Sequence, residues 1–220
     1  MKLKSDHINS SLLNPALMST FEQSYLDELF KVQEQVANSE GSLYEFFKAA
    51  WPYIEGNMPY VDSWHIKAIA EHLEAVYARQ IRKLIINVPP RTGKTNLISV
   101  AFPAWVWIHN PSERFLTVSC VNSLSLEHAQ KNRALLESNW YQDNWGYRFP
   151  LLKDQNVKSF FQNSKTGYRQ STSVVSKTVG KGGSIIIIDD PNDPGDPGDD
   201  GGAGGDTGGE TGQNPPPKVD

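Results

Sequence analysis

The 220-residue sequence predicts an α/β fold: a central, mostly parallel sheet flanked by helices, with a helical N-terminal extension and a disordered C-terminal tail. Three observations predict it. Short apolar runs of strand length alternate with longer stretches of helical periodicity, the pattern of βαβ units. One run, residues 84–88, leads into a turn holding Gly93-Lys94-Thr95, after which the pattern turns helical. Another, residues 185–188, is four isoleucines followed at once by Asp189-Asp190.

Taken in order, residues 1–57 read as a helical, polar extension. Leu26, Leu29, Phe30 and Val32 fall near helical spacing, and Leu43, Phe46, Phe47 and Trp51 repeat the theme until Pro52, which is expected to break it. Residues 58–191 form the main domain. Its first helix is predicted over 64–77, with Ile66, Ile69, Ala70, Leu73 and Val76 on one face and Asp62 or Ser63 as the N-cap. At Lys83 the period changes to that of a strand, Leu84-Ile85-Ile86-Asn87-Val88, closed by Pro89-Pro90. A helix follows from Lys94, with Pro103 expected to end or kink it. Residues 115–120 read as a strand and 125–138 as a polar helix, while 140–167 carry no decisive period. A further strand is expected over 171–176. The isoleucine run, apolar at every position, predicts a central parallel strand covered on both faces. Residues 192–220 are almost wholly Gly, Pro, Asp, Asn and Thr, with Val219 the one aliphatic side chain larger than Ala. Such a segment cannot bury enough apolar surface to offset its ordering entropy, so it is expected to be disordered.

Composition narrows the function classes. With 38% hydrophobic residues and six tryptophans the chain can build one sizeable core. The net charge of −4 hides an asymmetry: from Asp189 onward nine acids face only Lys218, so the preceding body is mildly basic. That permits DNA contact without demanding it. Four isoleucines are far too few to cross a bilayer, and the N-terminus lacks the apolar stretch of a secretory signal. The single Cys120 excludes an intramolecular disulfide and a cysteine-cluster metal site, which fits a reducing cytoplasm.

The segment Pro89-Pro90-Arg91-Thr92-Gly93-Lys94-Thr95 carries the most chemistry. A triphosphate needs backbone N–H groups converging at a helix N-terminus, where the dipole also favours negative charge. Gly93 lets the backbone approach, Lys94 can reach the β- and γ-phosphates, and the Thr95 hydroxyl can ligate magnesium. The pattern G-x-x-x-x-G-K-[ST] is matched only in part. Val88 stands at the first glycine position, and the two prolines supply no N–H, so the cradle leans on residues 91–95. Arg91 is a candidate γ-phosphate contact or an exposed arginine. Hydrolysis also requires an acid on the metal side and a base to orient water. Asp189 and Asp190, at a strand's C-terminal end, supply both, with Asp189 on the metal side and Asp190 catalytic. The alternative is a pair of turn-forming aspartates before Pro191.

These residues resemble the ATPase domain of terminase large subunits, the motors that pump viral DNA into procapsids, and so a P-loop NTPase fold. Residues 83–95 are similar to that family's phosphate loop, which also begins Pro-Pro-Arg, and Ile187-Ile188-Asp189-Asp190-Pro191 resembles the Asp-Asp-Pro form of its acidic motif. Trp64-His65-Ile66 sits where the family has an adenine-recognition motif, and Val179-Gly180-Lys181-Gly182-Gly183 resembles the glycine-rich turn before the acidic strand. The resemblance covers about residues 58–191. It implies an ATP- and Mg²⁺-dependent motor in the host cytoplasm, acting as a homo-oligomeric ring with double-stranded DNA, a portal protein and a small terminase subunit.

The chain departs from the family at several points. Lys181 stands where the family turn often has an arginine; it would offer transition-state charge on a neighbouring subunit's nucleotide, or is a solvated turn residue. His65 replaces the usual glutamine, as a base-reading side chain or a helix-start histidine. Trp64 reads as an adenine stacker or as core. The family's further ATPase strands and its nuclease are not recognisable after Pro191, and the tail acids sit in a flexible context unsuited to a two-metal site. The chain therefore reads as a truncated motor. A helicase-like ATPase and an inactive, nucleotide-binding remnant are the alternatives.

Overall fold

The computed structural model describes residues 20–120, 122–152, 157–174 and 182–190. Within them the chain is α/β, with six α-helices and a four-stranded, mostly parallel sheet. Residues 179–181 of the expected turn 179–183, Pro191, the tail 192–220 and residues 1–19 of the extension lie outside the described residues.

Helices α1 (Thr20–Gly41) and α2 (Leu43–Glu55) form the extension. The periodic positions Leu29, Phe30 and Val32 of α1 are exposed, and it is the later Val36 and Ser39 that turn towards the protein. α2 is buried through Leu43, Phe46, Phe47, Ala50 and Ile54. It does not stop at Pro52, which lies inside it. Proline cannot donate to the carbonyl four residues back, but Ala50 and Ile54, buried on either side of it, hold the last turn against the core.

Helix α3 (Trp64–Tyr77) matches its expected bounds and buries Ile66, Ile69, Ala70 and Leu73. Its N-cap is Ser63, in extended conformation but without a side-chain cap bond. After the phosphate-loop candidate the chain winds as a π-helical turn (Asn96–Ala101) that continues directly into α4 (Phe102–His109). Pro103 sits in the first turn of α4, so it marks the change from wide to normal helix and does not end it. β1 (Arg114–Ser119), α5 (Asn122–Glu137) and the short α6 (Asn139–Trp145) follow.

Strands β2 (Phe160–Gln162), β3 (Tyr168–Ser173) and β4 (Ile185–Asp189) complete the sheet in the order β2-β3-β1-β4. β1 pairs in parallel with β3 and with β4, while β2 is antiparallel to β3. In-register pairing puts Phe115, Thr117 and Ser119 on the same face as Arg169, Ser171 and Ser173 and as Ile185, Ile187 and Asp189. That face meets the π-helical turn through Ser99, bonded to Asp189 and Arg169, and α5 through His128, 3.9 Å from Asp189, while Asn132 of α5 bonds the Val100 carbonyl of the turn.

Two expectations need correction. β4 is not a central strand: among the described residues it pairs only with β1, and Ile186 and Ile188 are 58% and 62% exposed. The segment 84–88 is not a paired strand either. It is tethered at both ends beside β4. Arg79, just before it, donates to the Ser184 carbonyl at 3.4 Å, and Lys94, just after it, reaches Asp190. Between those ties Leu84, Ile86 and Val88 pack on the core while Ile85 is 94% exposed, the alternation of a strand. Period sets which face is buried, but a ladder also needs a neighbour at hydrogen-bonding distance.

Candidate functional site

The loop 89–95 is shaped by backbone conformations that few residue types adopt. Gly93 has φ +80°, and Arg91 is left-handed with φ 62°. The Thr92 hydroxyl donates to the Pro89 carbonyl at 2.9 Å, closing the turn on itself. Gly93's carbonyl accepts from the Leu97 amide at 3.1 Å, so the helix begins within the loop and its first amides are free of intrahelical partners. His65 braces the loop from α3. Its Nε2 lies 3.1 Å from the Thr92 carbonyl oxygen, and its Nδ1 lies 2.5 Å from the Ser63 hydroxyl. Both ring nitrogens are thus engaged within the protein. Trp64 packs edge-on to His65 and is 83% exposed, so it is not core.

The acidic pair arrives from the far end of the chain. Parallel β1 and β4 end together at Ser119 and Asp189, and the Cys120 amide donates to the Asp190 carbonyl at 3.1 Å. Asp190 adopts φ 44°, a left-handed turn an aspartate tolerates better than most residues. Its carboxylate meets Lys94, with Nζ 2.6 Å from Oδ1 across 96 residues of sequence. Lys94 is partly buried and Asp190 mostly exposed, so the acid is the more solvated partner. Of the expected site residues, Lys94 and Asp190 are therefore in direct contact. Thr95 follows Lys94 in the same helical start, and Arg91 is exposed. Lys181 lies outside the described residues.

Asp189 turns the other way, into the protein, at 6% exposure. Its Oδ2 accepts from the Ser99 hydroxyl at 3.0 Å and lies 3.9 Å from His128 Nδ1. Arg169 is fully buried on the same sheet face, and its Nη1 donates to the Ser99 carbonyl. Burial pulls the Arg169 guanidinium down to about 9, with the Asp189 charge opposing. Burial likewise holds His128 below the ordinary histidine value, again against the pull of Asp189.

Ser99, His128 and Arg169 were not singled out in the sequence. No apolar period marks Arg169: β3 reads Tyr-Arg-Gln-Ser-Thr-Ser, polar on both faces, so the sequence does not tell which side is buried.

Glu55 of α2 fixes the start of the wide turn from outside. It accepts from Asn96 at 2.8 Å and from Lys131 at 2.9 Å, and the Lys131 bond is the main cause holding its carboxyl below the usual range. Among the described residues no three His, Cys, Asp or Glu side chains are grouped to hold a metal ion by themselves. The hydroxyl of Thr95 and the carboxylate of Asp189 are hard oxygen donors of the kind magnesium takes one or two of, completing its shell with phosphate and water. A groove of ≈ 500 Å³ lies elsewhere, between α1 and α2. Its lining mixes Lys31 and Lys48 with Glu34 and Glu45, and Lys48 already pairs with Glu45, so it offers no concentrated field for an anion.

No family model, curated protein or solved structure matches the chain. Among the described residues no helix is long and apolar enough to cross a membrane.

Proposed function

We propose that this chain is a P-loop ATPase, the motor part of a viral DNA-packaging terminase large subunit. One observation carries the nucleotide reading: the lysine of a glycine-containing loop at a helix N-terminus meets, at 2.6 Å, a carboxylate at the C-terminal edge of a parallel strand. That edge is where open α/β sheets place their ligands. The packaging assignment rests on the resemblance of the Pro-Pro-Arg loop and the Asp-Asp-Pro ending.

In this reading Lys94 exchanges one anion for another. A bound triphosphate draws its ammonium away from Asp190, and the amides of residues 91–95 receive the phosphate oxygens at the helix start. Asp190, released, is exposed enough to orient a water and accept its proton. Thr95 and Asp189 would hold Mg²⁺, which when bound neutralises charge building on the phosphates. Trp64, exposed beside His65, offers a face for the base, while His65 holds the loop by its Thr92 carbonyl. Double-stranded DNA, a portal, a small subunit and a ring of like chains belong to the packaging proposal.

A second reading, nucleotide binding without turnover, is favoured by one observation. Among the described residues no strand pairs with the far side of β4, and the segment that leads into the loop has no ladder. ATP turnover and fluorescent-nucleotide binding by the purified chain and by Lys94→Ala, with and without double-stranded DNA, decide between them. Turnover lost in Lys94→Ala and raised by DNA supports the motor. Tight binding without turnover supports the second reading, and equal background values in both proteins reject the nucleotide site.

A further inference from the structure

The helix that follows the loop is wide where it passes Asp189, and its sequence accounts for this. In an α-helix the amide of residue 103 would donate to the carbonyl of Ser99, four residues back. Pro103 has no amide hydrogen, so that bond cannot form. The Phe102 amide donates instead to Leu97, five residues back. The Ser99 carbonyl is taken by the Arg169 guanidinium, and the next one, of Val100, by the Asn132 side chain at 2.6 Å. Meanwhile the Ser99 hydroxyl donates to Asp189. A single residue, 0% exposed, thus joins a buried carboxylate to a buried guanidinium.

We propose that Ser99 is a positioning residue for Asp189: held by Arg169 through its carbonyl, it fixes Oδ2 by its hydroxyl and so aims the carboxylate for a divalent cation. The inference rests on the nucleotide reading and deepens it. Two features carry it. Both contacts to Asp189 among the described residues, from Ser99 and from His128, fall on the same oxygen, Oδ2. And Arg169 spends a fully buried charge on a carbonyl, with its Nε and Nη2 having no hydrogen-bond partner among the described residues. Such a charge is costly in an apolar interior and is retained most readily where it neutralises a buried acid. Outer groups that orient a ligating carboxylate commonly change metal affinity or activity by about 10- to 100-fold when removed.

The test is Ser99→Ala, which keeps the carbonyl for Arg169 and a residue well suited to a helix. Mn²⁺ binding is measured by electron paramagnetic resonance in the presence of ADP, and ADP binding is measured separately in chelator. The expected result is Mn²⁺ affinity weakened by about tenfold or more, with metal-free ADP affinity unchanged. In a double-mutant cycle with Asp189→Asn the two effects are expected to be non-additive. Equal Mn²⁺ affinity in Ser99→Ala and wild type, or additive effects in the cycle, overturns the inference. So does a parallel loss of metal-free ADP affinity, which marks a merely structural role. If the wild-type chain binds neither ADP nor its Mn²⁺ complex, the nucleotide reading itself fails and the inference goes with it.

Discussion

Replacing Gly93 by alanine tests the loop geometry independently of any ligand. Gly93 sits at φ +80°, and a Cβ built there would find only Ile66 Cδ1, at 3.6 Å. That is ordinary van der Waals contact, so no steric penalty adds to the backbone one. An L-residue in a left-handed conformation costs about 1–2 kcal/mol. For a chain of this size that lowers the melting temperature by roughly 2–8 °C. Gly41 supplies the contrast. It ends α1, has no positive φ and has nothing within 4 Å of an added Cβ. Gly41→Ala removes only glycine's helix penalty and is expected to stabilise by up to about 0.5–1 kcal/mol. Urea and thermal unfolding of the two variants beside wild type read both signs in one experiment. A Gly93→Ala protein as stable as wild type, or a loss matched by Gly41→Ala, would refute the argument that the loop is held left-handed before any phosphate arrives.

Two further outcomes follow from packing and charge. Phe46 is fully buried against the rings of Trp140, Tyr141 and Trp145, so Phe46→Ala is expected to cost about 3–5 kcal/mol, measured by urea denaturation; a loss under 1 kcal/mol would mean α2 is not docked on α6. Burial holds His109 below the ordinary histidine value, while Glu40 beside it pulls the other way. Its folded pKa lies below its unfolded one, so its contribution is complete above about pH 6.5 and is lost as pH falls through the folded value. Melting temperature followed from pH 7.5 to 5 should therefore fall, and fall less in His109→Phe.

How far the site could be read in the sequence depended on how local each signal was. Gly93, Lys94, Thr95, Asp189 and Asp190 could be named as candidates because each motif lies within a few neighbouring residues. That Lys94 and Asp190 touch, across 96 residues of sequence, is seen only in the structure. Helix α3 was legible to the residue because its apolar face repeats cleanly and Ser63 precedes it. Residues 84–88 misled, since apolar alternation reports burial and not pairing. Pro52 misled because a helix tolerates a missing bond when residues on either side of it are anchored. Arg169 and Ser99 were hidden because their partnership joins a strand to a helix 70 residues away and depends on a carbonyl released by a third residue, Pro103.

The outward face of β4 bears on how the protein must be handled. Ile186 and Ile188, two residues apart on one face of the strand, are both more than half exposed and form an apolar patch. Two copies pressed together at high concentration can cover that patch, within a few residues of Asp189 and Asp190. Any turnover or binding signal measured for the motor proposal is then expected to fall with protein concentration for colloidal reasons. Assays belong at high dilution, with light scattering recorded alongside the rate.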